Sequence, residues 1–431
     1  MSKLNEKKII ELFQKKLGNT NFISEDVEFF KIGKKYLITK VDTLVESTDV
    51  PPGMKLEDVA RKSVVSCVSD FAAKGVKPIF GIISLTIPKR FSKLNIESLA
   101  SGFQKATKEF QLKILGGDTN EGKELVINFS LFGVSEKIVA RKGAKINHVI
   151  ITSGPFGYSR AGLSILLKNK NCTKKFQAKA KRAVFRPNCQ LEFGLKNKNY
   201  FSSAMDSSDG LSTTLNEISV QSKKKFIITH APSEKDVFDF ASANKMNVDD
   251  LIFNGGEEYE IVATINPIHL ERIKKYAKNH KIRLYEIGYV TKGRGVVHGR
   301  SSWNKFFLSG VRIKDRGWQH LKASTQEVKQ LGEAWAPKRY RIEKKGIDIT
   351  GTITDLEEPI VVQTKHQGGK VVANAKLVDD KGSVGISFWG DDIQKVSNGT
   401  KIRIIGGFTT RYNGVLHVQK GSQGTIEILQ R

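Results

Sequence analysis

Residues 66–78 read SCVSDFAAKGVKP. The apolar spacing leading into them predicts an amphipathic helix over 56–74. Asp70 lies on that helix beside Ala72, Ala73 and Gly75, small residues that let a helix pack closely. By itself such an aspartate is more often a solvated helix residue than a site residue. Its weight comes from what flanks it. On the N-terminal side, SEDVEFF places Asp26 before a strand. KVDTLVESTDVPPGM then places Asp42 at a strand end, with Asp49 seven residues on. On the C-terminal side, LGGDTN sets Asp118 behind Gly116 and Gly117 at a strand end. MDSSDGLS brings Asp206 and Asp209, with Ser208 between them, in a turn that opens a helix. NGGEEYEI adds Glu257 and Glu258 after Gly255 and Gly256. Each motif alone reads as a turn or a helix cap. The ordered set is what needs a common explanation.

Around these motifs the chain alternates short strands with helices. Residues 1–147 form a first block: an opening helix, a strand over 35–39, helices over 56–74 and 96–110, and strands over 112–115 and 124–132. Residues 148–322 form a second, opening with a strand over 148–152, the turn SGPFG and a helix through 161–167. Interspersed strands and helices predict α/β or α+β architecture. Residues 323–340, ASTQEVKQLGEAWAPKRY, have little strand character and contain Pro337, so they read as a linker. From 341 to 431 the texture becomes alternating strands broken by Gly, Asn and Asp turns, with one helical turn over 391–396. Several strands and one short helix in so few residues predict a small all-β barrel of the OB type.

The chain has 431 residues, enough for two or three domains. Apolar residues at 39% and charged residues at 27% mark it as globular. No apolar run can span a bilayer, and the N-terminus MSKLNEKKIIELFQKK is a charged amphipathic helix without a signal-peptide h-region. A cytoplasmic protein with no membrane partner is therefore expected. Cys67, Cys172 and Cys189 are too sparse for a disulfide framework or a zinc site. The formal net charge is +27. Such an excess either solvates a surface or attracts polyanions. From Arg341 to Arg431, 13 Lys and Arg stand against 10 Asp and Glu, a net of +3, so the other 24 charges lie upstream. Charge thus says little about what the last residues bind. The basic stretch Lys168 to Arg186 reads first as a solvated helix face, with nucleic-acid contact the lesser alternative.

Phosphoryl transfer from ATP needs magnesium, which takes oxygen ligands, mainly carboxylates, water and phosphates. The protein then has to hold metal and align donor with acceptor. Separated aspartates beside glycines, where backbone can approach phosphate, suit that task. In their order, SEDVE, VDTLVESTDV, CVSDFAAKGVKP, GGDT, RKGAKINH, TSGPFG, DSSDGL, GGEEYEI and GWQHL resemble the successive signatures of the thiamine-monophosphate kinase family. That family lies within a superfamily that includes aminoimidazole ribonucleotide synthetase. The matches run from Ser24 to Leu321.

The resemblance implies a two-part kinase of the aminoimidazole-ribonucleotide-synthetase-like type. It would use ATP and Mg2+ to convert thiamine monophosphate into thiamine diphosphate. It would form a homodimer with its active site between the N- and C-terminal halves. By position, Asp26, Asp42, Asp70, Asp118, Asp206 and Asp209 would ligate magnesium, with Asp118 and Asp209 the candidate catalytic pair. Gly117 would bring its backbone to the ATP phosphates, Arg141 would pair with ATP, and Ser208 would hydrogen-bond the nucleotide. Glu257 and Trp318 would contact thiamine phosphate, Trp318 by stacking; Trp318 fits a core aromatic equally well. Asp49 takes the position of a substrate-contacting histidine. Lys40 and Val41 stand where Ser or Thr usually precedes the Asp42 position. Glu25, Glu258 and Asn147-His148 are further departures, and all of these bear on substrate recognition more than on ATP or metal.

Residues 346–429 resemble the single OB-fold of archaeal single-stranded-DNA-binding proteins, through VVQTKHQGGKVVANAKLVDDKGSVGISFWGDDI and GTKIRIIGGFTTRYNGVLHVQKGSQGTI. The resemblance implies stacking of bases on Trp389, Phe408 and Tyr412, with Lys365, Lys370, Arg411 and Lys420 near phosphates. Trp389 and Phe408 also fit a barrel core, whereas Tyr412 sits beside Asn413 and Gly414 at an expected loop tip. Two rival readings stand beside the kinase. One is a nucleic-acid-binding OB protein on a non-catalytic kinase-like scaffold. The other is a related superfamily enzyme with another phosphorylated substrate.

Overall fold

The computed structural model describes residues 6–19, 22–299, 310–317, 342–364, 368–380, 382–412 and 415–430. The chain divides into two compact units, Met1–Val328 and Lys329–Arg431.

The first unit holds two sheets. Strands β1 (Glu28–Ile32), β2 (Lys35–Val45), β3 (Pro78–Pro88), β4 (Lys113–Gly122) and β5 (Val126–Ser135) form one, in the order β1-β2-β5-β3-β4. Strands β6 (Val149–Thr152), β7 (Phe201–Asp206), β8 (Lys225–Ile228), β9 (Ile261–Ile265), β10 (Tyr285–Thr291) and β11 (Gly295–His298) form the other, in the order β11-β8-β10-β6-β9-β7. The helices are α1 (Glu6–Lys16), α2 (Glu46–Asp49), α3 (Leu56–Lys74), α4 (Lys93–Phe110), α5 (Tyr158–Lys168), α6 (Lys174–Phe185), α7 (Leu191–Asn197), α8 (Leu211–Ser222), α9 (Lys235–Ala243), α10 (Val248–Ile252) and α11 (Leu270–Asn279). None of these is long and apolar enough to cross a membrane.

Helix α3 spans 56–74, the range its apolar spacing predicts. It packs on β2 and β5 of the first sheet and on β7 and β9 of the second. It is therefore buried on nearly every side, and Val59, Val64, Val65, Val68 and Phe71 are fully enclosed. Each such side chain contributes about 1.5–3 kcal/mol by leaving water. Close packing explains the small residues: a Cβ on Gly194 of α7 would lie 1.9 Å from the Ala72 carbonyl oxygen. From the first sheet, β5 points Ile127, Phe129 and Leu131 at α3. From the second, β9 sends Ile261, Ala263 and Ile265 into the same core. The second sheet carries α8 on its other face, where Met205, Val262 and Leu215 join a separate core.

Among the described residues, the other face of the first sheet leaves apolar side chains exposed. Val41 is 59% exposed, Val134 43% and Ile82 40%. They share that face with the stacked rings of Phe80 and Phe132, 4.9 Å apart.

Strand β4 is longer than expected. It runs on through Gly116, Gly117 and Asp118 to Gly122, paired in parallel with β3. Glycines are poor strand formers, but here the backbones meet closely. A Cβ on Gly117 would lie 1.7 Å from the Ile83 carbonyl oxygen, so only glycine fits.

Among its described residues, the regular structure of the second unit is strand apart from one 3₁₀ turn, Gly390–Lys395. Its strands are β12 (Ile342–Thr354), β13 (Ile360–Thr364), β14 (Gly368–Asp379), β15 (Gly382–Trp389), β16 (Lys401–Tyr412) and β17 (Val415–Gln430). They pair in the order β12-β16-β17-β15-β14-β13, with a further pairing of β12 to β14. The β15–β17 pairing is parallel and the others are antiparallel. Phe388, Ile386, Leu377, Ile402, Ile404 and Val418 fill its core.

Candidate functional site

Strand alternation aims part of the site at α3. In β2, Ile38, Lys40, Asp42 and Leu44 share one face, and Ile38 and Leu44 are buried on it. Lys40 and Asp42 thus meet α3. The Lys40 Nζ lies 3.1 Å from Asp70 Oδ2 and 3.4 Å from Asp42 Oδ1. The Cys67 thiol points at Asp42 Oδ2, 3.7 Å away, and at the Phe129 carbonyl.

One turn along α3 from Asp70, Lys74 is fully buried. Its ammonium meets Glu25 at 2.7 Å, Asp26 at 2.9 Å and the Ala204 carbonyl at 3.0 Å. Asp26 is also gripped by Arg141, whose Nε donates at 2.6 Å. The Arg141 backbone N–H donates to Glu25. At the end of β7, Asp206 accepts a hydrogen bond of 2.8 Å from Ser69.

Asp26, Asp70 and Asp206, all buried, each place one carboxylate oxygen within 4.8 Å of the others. Their electrostatics differ by neighbour. Burial opposes the Asp26 charge, but Arg141 and Lys74 overcome it and hold the carboxyl below its usual pKa. Burial pushes Asp70 well above the usual range despite Lys40, and Asp206 and Asp42 push the same way. Asp206 is raised to about 7, first by burial and then by Asp26. Burial works against the Lys40 charge, yet Asp70, Asp42 and Asp206 raise its pKa well above the ordinary lysine value. Five carboxylates (Glu25, Asp26, Asp42, Asp70, Asp206) thus face three cations (Lys40, Lys74, Arg141), a surplus of two acids that only full ionisation would turn into two negative charges. Three converging carboxylate oxygens with surplus negative charge suit a hard divalent cation.

The remaining candidates lie elsewhere. By register, Asp118 continues the row Thr43–Asn128–Ser84 on the sheet face away from α3, and it is exposed. Asp209 lies in the turn after β7 and is outside the three-carboxylate group. Asp49 turns inward: its carboxylate accepts from the Val45 backbone and its carbonyl accepts from Lys62. Lys62, itself buried, also meets Glu257 at 2.5 Å. Glu257 and Tyr259 both have left-handed backbone, φ 64° and 54°. Their N–H groups donate to the carbonyls of Ser208 and Ser207, which ties the GGEEYE loop to the DSSDG loop. Glu258 accepts from the Gly157 N–H at 3.1 Å. Glu260 accepts from Ser153 at 2.6 Å, and burial raises its pKa to about 7.

Lys62, Ser69 and Lys74 are the site residues that the motifs did not single out. The available signal was spacing: Lys62, Ser66, Asp70 and Lys74 recur at four-residue steps on an otherwise apolar helix.

In the second unit, the partly buried Trp389 pairs with Val372, while its neighbour Phe388 fills the core. Phe408 pairs with Gln419, outside the core row Thr409–Val418. Lys420 is held by Asp392. Trp318 and Lys365 lie outside the described residues, as do the side chains of Lys370, Arg411 and Tyr412.

A family model described as AIR synthase related protein, N-terminal domain, matches residues 24–135. The thiamine-monophosphate kinase of Nitrosopumilus maritimus strain SCM1 is 55% identical over 322 residues, 75% of this chain and 100% of the relative. That of Pyrococcus horikoshii is 31% identical over 324 residues, 75% of this chain and 98% of the relative. Among solved structures, "AaThiL complexed with AMPPCP and TMP" has a TM-score of 0.64 at 26% identity, over 74% of this chain and 97% of that one. The family model's span takes in Asp26 and Asp70, and the relatives are covered almost end to end. The chain belongs to the thiamine-monophosphate kinase family.

Proposed function

We propose that this chain is an ATP-dependent thiamine-monophosphate kinase that uses Mg2+. The observation that carries the reading is the group of Asp26, Asp70 and Asp206, in a chain 55% identical to such a kinase over that relative's whole length. A terminal phosphate oxygen of thiamine monophosphate attacks the γ-phosphorus of ATP. The new P–O bond forms as the bond to the β-phosphate oxygen breaks, and ADP leaves with that electron pair. The attacking oxygen is already anionic near neutral pH, so no strong general base is needed.

Asp26, Asp70 and Asp206 would hold magnesium. Bound there, the metal would neutralise charge between the two polyanions. Lys74 and Arg141 position Asp26, and Lys40 positions Asp70. Arg141 is the candidate partner of ATP, with Gly117 and Ser208 presenting backbone and hydroxyl to the nucleotide. Asp118 and Asp209 remain, on the family pattern, the pair nearest the reacting phosphates. Lys62 orients Glu257 toward the thiamine end, with Asp49 and Trp318 as further substrate contacts. A panel of phosphorylated acceptors with purified protein, ATP and Mg2+ tests this. Thiamine monophosphate should give thiamine diphosphate and ADP; turnover of a different acceptor alone would sink the reading.

The partition we favour is 1–147 and 148–322 for the kinase, 323–340 as a linker and 341–431 as the last domain. The kinase would be a homodimer. The open face of the first sheet supports this, since Val41, Ile82 and Val134 leave an apolar surface of the kind that marks an interface. Val41→Asp should shift the protein to monomer in light scattering.

For residues 341–431 the favoured reading is an OB-type barrel that binds single-stranded nucleic acid. The pairing of β12 with both β14 and β16 supports barrel closure. The outward positions of Trp389 and Phe408 leave them free of core duty, in keeping with stacking on bases. Oligo-dT added to residues 341–431 should quench the fluorescence of Trp389, the one tryptophan in that span. No quenching by a folded domain would favour protein docking instead.

A further inference from the structure

We propose that Lys40 is a built-in cation. Its ammonium holds the position between Asp42 and Asp70 that a metal ion would otherwise take, so Asp42 serves lysine rather than metal. The inference rests on the reading of Asp26, Asp70 and Asp206 as a magnesium site.

The geometry points this way from both carboxylates. The ammonium bridges them, 3.1 Å from Asp70 and 3.4 Å from Asp42. A lysine head offers three N–H donors and one positive charge, so it can satisfy two carboxylates at once. It is not a surface chain that wandered in. Lys40 lies mid-strand in β2, on the face that sends Ile38 and Leu44 into the α3 core, and its side chain is 24% exposed. The other Asp42 oxygen faces the Cys67 thiol, a weak donor buried against β5. Among the described residues, Asp42 is accordingly absent from the oxygens that converge within 4.8 Å. With an ammonium between it and Asp70 and a thiol on its other side, Asp42 makes a poor magnesium ligand, because magnesium calls for several oxygens at about 2.0–2.1 Å.

The functional consequence is a site partly assembled before any metal arrives. Asp70 is held in place through Lys40 and Asp26 through Lys74. The charge that a second ion would bring is supplied by the chain itself. Lys40 is then a positioning residue, and the chain needs one divalent ion fewer than its carboxylates would otherwise draw.

The test counts Mn2+, used as the probe, on the full-length protein by electron paramagnetic resonance of the free ion. Lys40→Ser should bind one more Mn2+ per chain than the wild type, and Lys40→Arg should bind the wild-type number. Asp42→Asn should leave the wild-type count unchanged, yet remove the extra ion when combined with Lys40→Ser. Melting followed by circular dichroism checks each variant's fold. If Lys40→Ser does not fold, Asp42→Asn decides alone: an unchanged count supports the proposal, and a lost ion overturns it. An equal count for folded Lys40→Ser and wild type overturns it too, while leaving the metal site standing. No Mn2+ bound to the wild type would remove the metal site itself and this inference with it.

Discussion

The two faces of the first sheet invert the usual order of polarity. The face turned to α3 is buried, yet it carries Lys40 and Asp42 and meets Asp70 and, through α3, Asp26 and Lys74. The opposite face is open, yet beside Asp118 it carries the exposed Val41, Ile82 and Val134. Burying charge is costly unless it is paired, and exposing an apolar face is unusual unless something covers it. Each face is therefore incomplete by itself. The inner one is held together by ion pairs in which acids outnumber bases. The outer one leaves apolar side chains open to water.

The inner face should break first. Lys74→Met leaves Asp26 and Glu25 short of a buried partner and should cost about 3–5 kcal/mol in urea unfolding. A loss under 1 kcal/mol would mean that the pairs do not hold the inner face together. The outer face should respond in rate and not in stability. Asp118→Asn should lower kcat by about 100-fold or more while its unfolding midpoint stays near the wild type. Normal turnover at limiting magnesium would show Asp118 to be a bystander. The last effect concerns a buried carboxylate that, among the described residues, has no lysine or arginine partner. Burial raises Glu260 to about 7, from an ordinary value of 4.5. A carboxyl raised on folding adds stability below its unfolded pKa and loses that stability as pH rises through the folded value. Wild-type stability should therefore fall between about pH 4.5 and 8, and Glu260→Gln should flatten that fall by about 3 kcal/mol. Parallel pH profiles would show that Glu260 is ionised alike in both states.

Much of this was legible in the sequence. The helix over 56–74, and the motifs of Asp26, Asp70 and Asp206, could be read because local spacing and small residues encode them. The strand through LGGDT was cut short, since glycine argues against strand and only the parallel pairing with β3 overrides that argument. The split of Asp42 and Asp118 onto opposite faces depends on the register of four strands and was invisible one motif at a time. The role of Lys40 was hidden for the same reason. As a departure from Ser or Thr it looked like a loss, and only its distance to Asp70, 30 residues away, makes it a cation between two acids. In the second unit, FW at 388–389 left open which ring fills the core, because adjacent strand residues alternate faces and the phase is set by pairing.

Helix α3 is shared property: one core runs from Ile127 and Phe129 of the first sheet through Val64 and Phe71 to Ala263 of the second. Neither sheet can bury its inner residues until α3 is in place, and α3 has no stable surface without both. The two halves of Met1–Val328 are thus tied into one cooperative folding unit. Calorimetry should see them melt in a single transition, and hydrogen exchange should open them together. A lesion in either sheet is felt as unfolding of the whole unit, so no half-folded kinase persists to expose its open face to neighbours.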